Sequence, residues 1–91
     1  MLAVIYTKQF KKDYKKLLRQ NEHVIGEFDI VLKKLMFEEP LPAKLKFHKL
    51  GGDYSDCFEC HVKPDLLLIW MVNEQKNILT LVRTGSHSEL F

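Results

Sequence analysis

The sequence predicts an α+β fold, two N-terminal helices packed on a small antiparallel β-sheet, and three observations predict it. Apolar residues recur with a helical period between residues 8 and 37, with period two between residues 57 and 63, and without a break between residues 66 and 72. At 91 residues, 46% apolar and 29% charged, the chain has the composition of one folded domain over residues 1–91 and not of a disordered segment.

Leu2 to Tyr6 is short, apolar and partly β-branched, which predicts a strand, and Thr7 offers a hydroxyl to cap a helix beginning near Lys8. Phe10, Tyr14, Leu17 and Leu18 then fall on one face, while lysines occupy the others. Asn21 is placed to cap a second helix, whose apolar positions Val24, Ile25, Phe28, Val31, Leu32, Leu35 and Met36 keep the period up to about Phe37. Pro40 ends it, because the residue before a proline disfavours helical geometry. Pro40, Pro42 and Gly51-Gly52 bracket a loop-rich stretch, in which Lys44 to Lys49 form a short strand or an extended segment.

From Cys57 onward Phe58, Cys60 and Val62 fall on one side of a strand and Cys57, Glu59 and His61 on the other, so Glu59 and His61 share a face. Pro64-Asp65 suits a tight turn. Leu66 to Val72 is apolar at every position, as expected of a central strand covered on both sides. Asn73 to Asn77 reads as a hairpin turn and Ile78 to Thr84 as the next strand, which delivers Gly85-Ser86-His87 at its end.

The net charge of +2 hides an asymmetry: residues 1–50 carry 11 Lys/Arg against 6 Asp/Glu, residues 51–91 only 3 against 6. A basic front half attracts a polyanion or an acidic partner, although lysines on a solvated helix face give the same count. The longest apolar run is far short of the roughly 20 residues of a membrane-spanning helix. The N-terminus lacks the pattern of a secretory signal, which predicts a cytoplasmic protein. Cys57 and Cys60 are then expected to be thiols. Their Cys-x-x-Cys spacing, with His61 adjoining, admits a redox or zinc reading, but on a strand the two sulfurs point to opposite faces and no second pair exists.

The chemistry-bearing residues gather late in the chain. His48, His61 and His87 fall at strand ends or in loops, near the carboxylates Glu59 and Asp65 and the cation Arg83, with Phe91 beyond. A lone histidine is usually structural, but this set has the makings of RNA cleavage. That reaction needs a base for the 2′-hydroxyl proton, an acid for the leaving 5′-oxygen and a cation for the charge on phosphorus. An imidazole serves as either acid or base near neutral pH, and Glu59 or Asp65 could orient it. Lys44, Lys46 and Lys49 can hold the RNA backbone, and Phe91 either stacks on a base or packs the tail. Trp70 reads as core.

The combination His48-x-Leu50-x-Gly52, Glu59-Cys60-His61-Val62-x-Pro64-Asp65-Leu66-Leu67-Leu68-Ile69 and Arg83-Thr84-Gly85-Ser86-His87-Ser88-Glu89-Leu90-Phe91 resembles the YafQ branch of the RelE superfamily of bacterial toxins. The resemblance covers essentially the whole chain. It implies an mRNA endoribonuclease of a type II toxin-antitoxin system that usually cuts messages on translating ribosomes and is neutralised by a co-expressed antitoxin. It implies a free toxin that is monomeric and a hetero-oligomer with the antitoxin.

It also implies His48, His61, Asp65, His87 and Phe91 as active-site residues, Glu59 where relatives often carry aspartate, and Arg83 as a phosphate contact. The expected chemistry uses no metal and no cofactor. Phe58 stands where arginine is frequent and Lys49 where proline is. Two rival readings are a ParE-like toxin that binds DNA gyrase without catalysis, and a protein-interaction module in which the histidines are structural.

Overall fold

A computed structural model describes residues 1–91, the side chain of Glu22 excepted. The elements are β1 (Ala3–Tyr6), α1 (Lys8–Gln20), α2 (Ile25–Met36), β2 (His48–Lys49), β3 (Phe58–Lys63), β4 (Leu66–Asn73), β5 (Ile78–Gly85) and α3 (His87–Leu90). Thr7 caps α1 as expected, its hydroxyl accepting the Phe10 amide at 2.9 Å. Asn21 does not cap α2 directly. Its side chain accepts the His23 amide at 3.1 Å and so opens a 3₁₀ turn, Glu22–Val24, from which α2 continues without a side-chain cap. α2 ends at Met36, before Pro40 acts, because Glu38 takes the left-handed conformation (φ 56°).

The five strands form one sheet in the order β1-β5-β4-β3-β2. Neighbours from β2 to β5 are antiparallel. The first strand departs from the expected antiparallel sheet: β1 runs parallel to β5, with Ala3 opposite Ile78 and Tyr6 opposite Leu81. A tight turn forces strands to reverse, but β1 leads into α1 instead, and a crossover through helices leaves the strand free to run parallel. Lys44 to Lys49 is not extended throughout, since Ala43–Leu45 forms a 3₁₀ turn before the two-residue β2.

The helices cover one face. Phe10, Val24, Phe28 and Val31 are buried there against Cys60, Val62, Leu68, Trp70, Leu79 and Leu81. The alternation of side chains along a strand sends the intervening residues Leu67 and Ile69 to the opposite face, where Cys57, Leu90 and the half-buried Leu50, Tyr54 and Val82 enclose them. The all-apolar β4 is therefore buried on both sides. Cys60 belongs to the first cluster and Cys57 to the second. The strand does separate the two sulfurs, and both thiols are buried.

Candidate active site

The site lies on the sheet face away from α1 and α2. Register builds its first part: His48 on β2 is opposite Glu59 on β3, and His61 follows Glu59 on the same face. Glu59 is 2% exposed. Its Oε1 lies 3.3 Å from His48 Nε2 and 3.8 Å from His61 Nε2. Backbone carbonyls orient both rings from behind, Lys46 O at 2.8 Å from His48 Nδ1 and Pro64 O at 3.3 Å from His61 Nδ1. Since a carbonyl only accepts, each Nδ1 carries a hydrogen and each Nε2 is turned to the carboxylate. When its ring is protonated, His48 Nε2–H is close enough to donate to Glu59, whereas His61 is too far and keeps its Nε2 for another partner. Glu59 Oε2 is buried with no hydrogen-bond partner among the described residues.

His87 completes the site from α3, one turn of helix that the strand pattern did not reveal. Ser86 caps it by accepting the Glu89 amide at 3.3 Å, and Glu89 Oε1 accepts the Ser86 amide at 2.9 Å, a reciprocal capping box. The Ser86-x-x-Glu89 spacing was the available signal. The other Glu89 oxygen binds Lys16 Nζ of α1 at 2.6 Å. Lys16 first, then the Ser86 amide and hydroxyl, hold the Glu89 carboxyl at about 2. Asp65 does not orient His61: its Oδ1 accepts the His87 backbone amide at 3.3 Å, so the β3–β4 turn tethers α3. The His61 and His87 rings stand 5.8 Å apart, and Phe91 lies 5.9 Å from His87. Phe91 is 61% exposed and meets Tyr54 edge-on at 5.8 Å.

Arg83 lies on β5 beyond the end of β1, which stops opposite Leu81. Asp13 of α1 grips it twice, taking Arg83 Nε on Oδ2 and Nη2 on Oδ1, each at 3.1 Å, and takes the Thr84 amide at 3.2 Å. Burial pushes the Asp13 carboxyl up, but hydrogen bonds from Arg83, Gln9 and Thr84 outweigh it and leave it below the ordinary carboxylate range. The same bond to Asp13 raises the Arg83 guanidinium, with Tyr54 adding to the effect. Arg83 is thus a fixed, permanent cation, with three of its five N–H groups not engaged by Asp13. It is opposite Ile69, which is opposite Glu59, so its backbone stands roughly 10 Å from that of Glu59, two strand spacings away.

The model of the bacterial YafQ toxins of type II toxin-antitoxin systems matches residues 2–91. The chain belongs to the YafQ toxin family. It is 35% identical to the mRNA interferase toxin YafQ of Escherichia coli K12 over 88 residues, 94% of this chain and 91% of that protein. A metal-bound toxin from Helicobacter pylori superposes with a TM-score of 0.92 at 45% identity, each chain covered in full. YafQ in the DinJ–YafQ complex of E. coli superposes with a TM-score of 0.88 at 29% identity, covering 100% of this chain and 99% of that one.

Within this YafQ fold, His48, Glu59, His61, Asp65, His87 and Phe91 come together, and Arg83 stands apart on the β5 edge. Sequence reading missed Tyr54, which connects Phe91 to Arg83, and Asp13, an acid on a basic helix whose partners lie 70 residues away. Lys49 is opposite Phe58, whose ring belongs to the helix-side core, so the register of β2 sends Lys49 away from His48. Lys44 and Lys46 instead line a trough that His61 also lines. Burial, with Glu59 close by, pushes the Cys60 thiol up to about 12, and burial raises Cys57 as well, so both remain protonated at neutral pH and are poor redox or metal-binding groups.

Proposed function

We propose that this YafQ-family toxin is an endoribonuclease that cleaves mRNA on the ribosome by acid–base transesterification in the cytoplasm, and that a cognate antitoxin neutralises it as a complex, the free toxin being a monomer. The observation that carries the reading is the convergence of two separately held imidazoles, His61 from β3 and His87 from α3, with ring centres 5.8 Å apart. The 2′-hydroxyl attacks the adjacent phosphorus while His61 Nε2 takes its proton. Glu59 stabilises the imidazolium so formed through Oε1, the oxygen that His48 also approaches. His87 gives a proton to the departing 5′-oxygen. A 2′,3′-cyclic phosphate or 3′-phosphate remains on one fragment and a 5′-hydroxyl on the other.

Arg83, fixed by Asp13 on the β5 edge, adds positive potential to the site, and a cation already held in place needs little reorganisation. The exposed Phe91 ring stacks on a base.

The test is cleavage of a defined mRNA, with and without ribosomes, by the protein and its His61→Ala and His87→Ala variants. Each variant should fold normally and lose about 10²–10⁴-fold in rate, and the cut ends should be 5′-hydroxyls. A folded His87→Ala protein of undiminished rate would remove the acid assignment. No cutting under either condition would turn attention to gyrase binding.

A further inference from the structure

We propose that the trough between α2 and β3 is a nucleotide subsite for the message residue adjoining the cleaved bond. The inference rests on the ribonuclease reading and gives it a direction. The trough, about 660 Å³, has His61 among its lining residues, which places it next to the proposed base and within reach of a nucleotide that adjoins the cleaved bond. This volume is in the range of pockets that take one small organic ligand.

Its chemistry matches an unpaired nucleotide. The floor is apolar: Val31 and Val62 are buried, Leu45 is half-buried and Ile30 is exposed. Four lysines, Lys34, Lys44, Lys46 and Lys63, surround it, against one lining acid, Glu27. Glu39 lies 3.8 Å from Lys34 and Glu27 lies 3.4 Å from Lys63. Lys44 and Lys46 are exposed and enter no ion pair among the described residues. Apolar surface for a base face beside cations for the phosphates is how single-stranded RNA is held without strict base readout.

Two other concavities suit RNA less well. In the 740 Å³ groove beneath α1 three acids, Asp13, Asp65 and Glu89, line the wall, and two of its cations are already engaged, Arg83 by Asp13 and Lys16 by Glu89. The apolar cleft of about 370 Å³ between α1 and α2 has no histidine in its lining. Lys46 also ties the trough to the chemistry: its left-handed backbone (φ 52°) aims a carbonyl at His48 while its side chain lines the trough.

The test uses the doubly substituted Lys44→Ala, Lys46→Ala protein and a short message oligonucleotide whose 2′-deoxy residue at the cut site prevents cleavage. Binding is followed by fluorescence anisotropy across a salt series, and cleavage of the all-RNA oligonucleotide in parallel. The expected result is a Kd weaker by about tenfold or more, a salt slope reduced by roughly 0.7 for each phosphate that the lysines no longer neutralise, and a cleavage defect that appears in KM. Ile30→Glu, at an exposed position, should weaken binding independently. Unchanged oligonucleotide affinity and salt slope in an active double variant would overturn the subsite and leave the ribonuclease reading standing. So would a defect confined to ribosome binding, which would assign the lysines to ribosomal RNA. A wild-type protein that neither binds nor cuts the oligonucleotide or ribosome-bound message would overturn both.

Discussion

The two halves of the site are secured by different physics. His48, Glu59 and His61 sit on paired strands, and their spacing is a property of backbone register. His87 and Phe91 depend on a four-residue helix, too short to persist on its own, which is held by a capping box, the Asp65 carboxylate, the Lys16 ion pair and the buried Leu90. A change in a site side chain on the sheet should therefore alter chemistry without moving the frame, whereas a change near α3 should move the frame even when no reacting group is touched.

Glu59→Gln makes the first half of that comparison breakable and carries the largest effect. Cleavage should fall on the order of 100-fold, by loss of the charge that stabilises imidazolium. Thermal stability should change by less than about 1 kcal/mol, because a buried carboxylate with an unpartnered oxygen contributes little net stability. Large unfolding in a calorimetric scan would show that Glu59 holds the sheet together and would erase the distinction.

Gly85→Ala probes the second half. Gly85 has φ +153°, and an added Cβ would meet Glu89 Oε1 at 3.1 Å and Leu90 at 3.6 Å. The expected cost is about 1–3 kcal/mol from backbone strain, with His87 displaced and cleavage reduced although every reacting group is retained. Full activity would mean that α3 tolerates movement.

The smallest effect belongs to the Lys16–Glu89 pair. Its side chains are 58% and 36% exposed, so Lys16→Met should cost less than about 1 kcal/mol. The Glu89 carboxyl is held at about 2 against an ordinary 4.5. Its folded value is the lower one, so its stabilisation is present above pH 4.5 and is lost as the pH falls towards 2. Nuclear magnetic resonance of the Ser86 and Phe91 amides should follow that loss in the wild type, and Lys16→Met should shift it upward. An unshifted titration would show that the ion pair does not anchor α3.

Where structure depends on near neighbours, the sequence was readable. The Thr7 cap, the two amphipathic helices, the doubly buried run from Leu66 and the shared face of Glu59 and His61 all follow from periodicity or capping. The Ser86-x-x-Glu89 box was equally local, but the strand-like lead-in masked it. Other features depend on partners far along the chain. Nothing near Asp13 marks it as the carboxylate that fixes Arg83, and nothing near β1 says that it runs parallel to β5. The opposed directions of His48 and Lys49 are set by pairing with β3, and the approach of Tyr54 to both Phe91 and Arg83 needs the fold.

The parallel pairing of β1 with β5 also bears on how the protein is made. Thr7 donates to the carbonyl of Val82 at 2.7 Å across 75 residues, so this edge of the sheet cannot close until synthesis has passed residue 82, and α3 emerges later still. Chains generally fold as they leave the ribosome, early segments first, but here the first strand must wait for the last. A nascent toxin therefore cannot complete this sheet, or the α3 that follows β5, until those late segments have been made.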